Sequence, residues 1–130
     1  MQHLPTLTLN DQHDQPQTVE EGTRYLIFAA EKAAASLVDA VLEDRAGACL
    51  AAAGIRLVAD ISAMPQMVIT MFALPKLRKR PYPILLGRTA DDTRELPREP
   101  GKVTVIAVDT GQVHFIDDVD VLRATLGLTR

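Results

Sequence analysis

Residues 24–43, RYLIFAAEKAAASLVDAVLE, decide the fold. Tyr25, Leu26, Ile27 and Phe28 form a short unbroken apolar run. A run of that length without alternation predicts a central strand covered on both faces. Composition then changes to Ala29, Ala30, Ala33, Ala34 and Ala35, all strong helix formers. Leu37, Val38, Val41 and Leu42 follow at helical spacing and supply one apolar stripe. A strand therefore runs almost directly into a helix that begins near Lys32 and extends to about Arg45. Glu31 suits the positive end of the helix dipole and Lys32 does not. A cation there marks a candidate anion site, although a solvated lysine is the preferred reading, because the dipole effect is only about 0.3–1 kcal/mol.

Composition narrows the classes. The chain has 130 residues, 47% of them hydrophobic, with a formal net charge of -3. That predicts one domain over residues 1–130 with a sizeable core, of α/β class from its strand-to-helix pattern, and argues against disorder. The net charge offers no global attraction to nucleic acid or an anionic membrane. No apolar run approaches the roughly 20 residues of a membrane span. The chain as given carries no basic start followed by an apolar core, so a cytoplasmic location is expected, or a periplasmic one where a signal peptide has been removed. One cysteine, Cys49, excludes an intrachain disulfide and a CxxC pair.

Around the central strand the chain reads in order. A strand at about 5–9 precedes a turn-rich stretch, NDQHDQ, and 16–19 reads as a short returning strand. Asp11, His13 and Asp14 cluster in that turn; they are read as turn formers and no metal site is assigned. Gly47 interrupts the first helix, and Cys49 falls beside Leu50 on the continuing stripe, where a thiol is expected to be buried and inert. Gly54 ends the helix. Residues 55–61, IRLVADI, read as a second strand, parallel to the first and beside it. Asp60 and Ser62 then lie at its carboxyl end, where α/β sheets bind ligands, although Asp60 is read first as a group that caps or ties down the next loop.

Residues 64–77 predict a second helix with Met67, Val68, Met71 and Phe72 in its stripe, the methionines being read as core filler. Pro75 is expected to end or kink it near Ala73 or Leu74. Lys76, Arg78, Lys79 and Arg80 form a basic cluster, a solvated helix end on the bland reading and a site for an acidic partner on the sharp one. Base-stacking aromatics are nearly missing around it, which argues against nucleic acid. A third strand is expected at 82–86 (YPILL), a polar loop at 87–101, and a hairpin from 103–108 and 112–116 about Asp109, Thr110 and Gly111. Asp117 or Asp118 can cap a last helix over 119–128, with Val119, Leu122, Leu126 and Thr129 on one side.

The order strand, helix, strand, helix, hairpin, closing helix resembles the thioredoxin-like superfamily. The YPILLG strand, the loop after it and the VTVIAVDTGQV hairpin are similar to its peroxiredoxin and thiol–disulfide oxidoreductase branches. The resemblance covers about residues 4–128 and implies a three-layer sandwich, a central mixed β-sheet with helices on both faces. It also implies an active site at FAAEKAAAS, where Lys32 stands in place of the nucleophilic cysteine and Ala35 in place of the resolving one. Leu26 takes the place of the buried acid, and Val103 that of the cis-proline, while Thr104 matches. The run DQH…ADIS…MP…ALPK is similar to small bacterial proteins, some of which carry a flavin-dehydrogenase label. The residues give that label no support, since no GxGxxG follows a strand.

Three readings follow. The first is a redox-inactive thioredoxin-like protein, a binding or accessory module whose candidate ligand site is Lys32, Asp60, Ser62, Met64 and Thr104, with no cofactor. The second is an oxidoreductase, either flavin-associated or using Cys49. The third is an interaction module working through Lys76, Arg78, Lys79 and Arg80. The partner is left as a small ligand or a protein, with homodimerisation open. Neither a serine nor a histidine triad is supported, because the three histidines carry no nucleophile motif beside them.

Overall fold

Tyr25–Ala29 forms strand β3, the centre of a five-stranded sheet. The structure, a computed structural model, describes residues 8–18, 23–42, 54–62, 64–80, 82–94, 96–108 and 110–126. Before β3, strands β1 (Thr8–Asn10) and β2 (Pro16–Thr18) make a separate antiparallel pair. After it come helix α1 (Lys32–Leu42), strand β4 (Ile55–Asp60), helix α2, strand β5 (Leu85–Gly87), a 3-10 turn (Ala90–Thr93), strands β6 (Val103–Ala107) and β7 (Gln112–Ile116), and helix α3 (Val119–Thr125). Helix α2 is composite: α-helical at Gln66–Val68, π-helical at Ile69–Ala73 and α-helical again at Leu74–Leu77. Cys49 and Gly47, and the expected end of α1 near Arg45, lie outside the described residues.

The sheet order is β5-β4-β3-β6-β7. β3 and β4 run parallel with Tyr25 opposite Ile55 and Ala29 opposite Ala59, as a strand–helix–strand unit requires. β6 pairs antiparallel with both β3 and β7, and Gly111 makes the hairpin turn at φ 74, a conformation that costs glycine little.

Alternation along the strands sorts two apolar clusters. Ile27, Ala29, Leu57, Val103 and Val105 belong to the larger, with Ala34, Val38, Val41 and Leu42 of α1, Ile69 and Leu74 of α2, and Leu122 and Leu126 of α3. Leu26, Phe28, Val58, Leu85 and Ile106 form the smaller, closed by Leu96 and flanked by Leu9, Ala30 and Val108. Each large side chain so buried contributes about 1.5–3 kcal/mol. Asp118 caps α3, its Oδ1 accepting from the Asp120 and Val121 amides.

One local reading changes, and two others gain a physical cause. Strand β5 begins at Leu85 and not at Tyr82. The cause is Gln12, 1% exposed, whose amide donates to Tyr82 O at 2.8 Å and accepts from Ile84 N at 2.8 Å. Those two backbone groups are thus taken before a sheet ladder can use them. The turn that carries Asp11, His13 and Asp14 is organised by Asp11, whose Oδ1 accepts from the His13 and Gln15 amides while Oδ2 accepts from the Gln17 side chain. No cluster of metal-binding groups occurs among the described residues. Pro75 does not stop α2. It lacks an N–H, and its ring presses on the carbonyl one turn back; the turn before it is widened to π, with the Leu74 amide donating to Ile69 O.

Candidate functional site

The carboxyl ends of β3 and β4, where the sequence places the candidate site, are crossed by the segment after the 3-10 turn. Asp60 closes β4. Its Oδ1 accepts from the Ser62 amide at 2.9 Å and its Oδ2 receives Arg98 Nη1 at 2.8 Å. Thr93 Oγ1 donates to the same Oδ2 at 3.4 Å. The Asp60 side chain is only 8% exposed, so its charge depends on these partners. Burial alone works to raise its pKa; the hydroxyl and amide of Ser62 and the guanidinium of Arg98 outweigh that, and the carboxyl is held below its usual value.

Arg98 is the hub of this network. Nη2 donates to Thr93 O at 2.9 Å and to Thr93 Oγ1 at 3.1 Å. The guanidinium lies over the Phe28 ring, 4.8 Å from its centroid, within cation–π range. One residue before, Pro97 O accepts from Thr104 Oγ1 at 2.9 Å. Further on, the Gly101 amide donates to Glu31 Oε1 at 3.2 Å, next to the start of α1. The segment is therefore fastened to β4, β6 and α1 in turn. Gly87 permits this closeness: a Cβ there would stand 2.7 Å from Thr93 Cγ2.

Of the five candidate ligand residues, Asp60 and Ser62 are joined directly, and Thr104 reaches the same segment through Pro97. Thr104 is 1% exposed, so its hydroxyl serves the interior. Lys32 opens α1. Met64 lies beyond β4, its amide donating to Ile61 O, and its side chain is exposed. Of the positions that the sequence resemblance assigns to an active site, Leu26 is buried in the smaller cluster, Val103 in the larger, and Ala35 packs against the larger. The peptide bonds of the described residues are all trans.

The basic cluster divides into two pairs. Arg80 points inward, with Nε at 3.1 Å from Asp39 Oδ1 and Nη2 at 2.8 Å from Asp39 Oδ2, the forked geometry that arginine makes with a carboxylate. Arg78 Nε donates to Gln12 O at 3.0 Å, pinning the N-terminal turn. Lys76 and Lys79 are exposed.

The methionine reading is overturned. Met64, Met67, Val68, Met71 and Phe72 all face solvent, with Met67 at 71%, Met71 at 61% and Phe72 at 66%. Only Ile69 and Leu74 of α2 are buried. A stripe of apolar residues at spacings of three and four tells that a helix has an apolar face; it does not tell which way that face points. Here the polar signal that would have separated the two faces is missing, because Ile69, Ala73 and Leu74 make the other side apolar as well. No sequence cue marked Arg98 or Gln12 either, since their roles arise from contacts across 38 residues and across 65 to 72 residues.

No family model matches the chain, and no curated protein matches it by sequence. Solved structures do match its fold. A candidate thioredoxin from Neisseria meningitidis superposes with a TM-score of 0.62 at 10% identity, covering 95% of this chain and 86% of that one. StoA from Bacillus subtilis superposes with a TM-score of 0.55 at 12% identity, over 92% and 95%. The thioredoxin domain of a thiol-disulfide oxidoreductase from Bacteroides vulgatus gives 0.55 at 10% identity, over 96% and 96%. Likenesses at this level of identity carry the fold, and the fold does not carry the activity.

Proposed function

Taking as premise that the chain has the thioredoxin-like fold and one cysteine, we propose that it is a redox-inactive member of that architecture, acting as a binding or accessory module. The observation that carries the reading is the start of α1. Thiol–disulfide exchange needs an attacking thiolate and a second thiol to resolve the mixed disulfide, and a peroxidatic cycle needs a low-pKa cysteine at a helix N-terminus. The corresponding positions here are Lys32 and Ala35. An amine and a methyl group can do neither step. The remaining thiol, Cys49, has no cysteine partner in the chain.

The network at the strand ends argues against acid–base catalysis there. Asp60, the one acid at the carboxyl end of β4, is committed to Ser62, Thr93 and Arg98 and held ionised, which removes it as a general acid near neutral pH. The test is insulin reduction and peroxide consumption with a thiol reductant, run beside a Cys49→Ser variant. Rates at background in both proteins are expected. Turnover that disappears in Cys49→Ser would overturn the reading.

A further inference from the structure

Helix α2 and the turn after it make a surface of one character. Met64, Met67, Val68, Met71 and Phe72 are exposed together, and exposed Lys76 and Lys79 stand beyond the carboxyl end of that stripe. From residue 61 to residue 90 the sequence contains no Asp or Glu but five cations, Lys76, Arg78, Lys79, Arg80 and Arg88. That is a local excess of positive charge in a chain whose net charge is -3. A contiguous exposed apolar patch on a folded protein marks an interaction site, and methionine is over-used where a surface must adapt to its partner.

The occupant follows from charge. We propose that this surface docks an acidic amphipathic segment of another protein, whose apolar side covers Met64, Met67, Val68, Met71 and Phe72 and whose carboxylates meet Lys76 and Lys79. A second copy does not fit, because residues 61–90, which supply this surface, contain no carboxylate to answer its own lysines. A membrane does not fit either: a helix lying in a lipid interface is rich in cations along its polar face, whereas residues 64–75 carry none and the lysines gather beyond one end. The proposal rests on the binding-module reading and names the partner class. The two fail separately, since redox turnover through Cys49 would leave the docking result unchanged.

The chain has four methionines, Met1, Met64, Met67 and Met71, so a methyl-labelled methionine NMR spectrum reports on the surface directly. The probes are a synthetic helical peptide with leucines on one face and glutamates clustered at one end, the same peptide with lysines replacing the glutamates, and vesicles of neutral and of anionic phospholipid. The glutamate peptide should shift the Met64, Met67 and Met71 methyls and bind more weakly as salt rises. A Lys76→Glu/Lys79→Glu variant and a Met67→Gln/Met71→Gln variant should each weaken that binding about tenfold, the difference that 1.4 kcal/mol makes, with thermal midpoints showing that both remain folded. Equal binding of the two peptides, no shift with the glutamate peptide, or shifts with anionic vesicles in place of the peptide would each overturn the proposal.

Discussion

The carboxyl end of β4 and helix α2 are neighbours in sequence and opposites in how they treat solvent. At Asp60 the polar groups turn inward: one carboxylate holds Ser62, Thr93 and Arg98, and the guanidinium also lies on Phe28. Along α2 the apolar groups turn outward, and Met67, Met71 and Phe72 are more than half exposed. In open α/β sheets the carboxyl end of a strand is where ligands bind. In this protein it is a fastening point, and the unsatisfied surface lies one helix further along the chain. Saturation within the fold lowers what a residue can offer a ligand; an exposed apolar side chain retains its full transfer free energy for a partner.

That contrast can be broken at Arg98. Arg98→Ala leaves the nearly buried Asp60 carboxylate without its cation and uncovers Phe28. Removing one partner of a fully buried pair costs about 3–5 kcal/mol; with Arg98 at 39% side-chain exposure, about 2 kcal/mol is expected, read as a lower denaturant midpoint. A loss under about 0.5 kcal/mol, the range of ordinary surface changes, would show the fastening to be incidental. The same variant has a pH signature. The pKa of Asp60 is lowered in the folded state, so its contribution is present above the unfolded value, about 3.9, and is lost as pH falls through the folded value. Stability measured from about pH 6 down to about pH 3 should therefore fall less steeply in Arg98→Ala than in the parent. An unchanged slope would assign the acid sensitivity elsewhere, with Asp11, also lowered against the effect of its burial by Gln15, His13 and Gln17, the next candidate.

Gly87→Ala tests the same region by volume. The added Cβ would meet Thr93 Cγ2 at 2.7 Å, and Thr93 is 1% exposed and bonded to Asp60, so it has little room to yield. Overpacking of this kind costs about 1–3 kcal/mol, and the lower half of that range is expected from thermal unfolding. Arg80→Gln sharpens the division within the basic cluster. Its fork to Asp39 is partly buried, 16% and 24% exposed, and losing it should cost about 1 kcal/mol. Lys76→Gln should change stability by no more than about 0.5 kcal/mol. Equal effects would dissolve the distinction between inward and outward cations. The smallest change is expected from Met67→Gln/Met71→Gln, within about 0.5 kcal/mol of the parent in stability, because neither side chain enters a core cluster. A large loss would return these methionines to the core.

Much of the architecture was legible because it depends on local pattern. The apolar run at Tyr25–Phe28 and the β-branched run at Ile55–Ile61 placed the two central strands; their parallel pairing follows from the helix between them. Asp109–Thr110–Gly111 located the β6–β7 hairpin, and Asp118 the last helix. The lack of a second cysteine was equally plain, since identity alone settles it. The site was less legible. Asp60 at a strand end looks the same in sequence whether it awaits a ligand or holds an arginine.

The sequence by itself determined the order of the main strands and helices, the parallel pair at the sheet's centre, the hairpin and the lack of a cysteine pair, because periodicity, turn chemistry and residue identity are properties of the chain. Tertiary structure alone decided that Gln12 takes the backbone groups of Tyr82 and Ile84 and delays β5 to Leu85, that Arg98 reaches Asp60, that Arg80 turns in while Lys76 and Lys79 stay out, and which apolar side of α2 faces water. Those are choices between partners far apart in sequence, and a side chain's partner is set by what packing brings within about 3 Å of it.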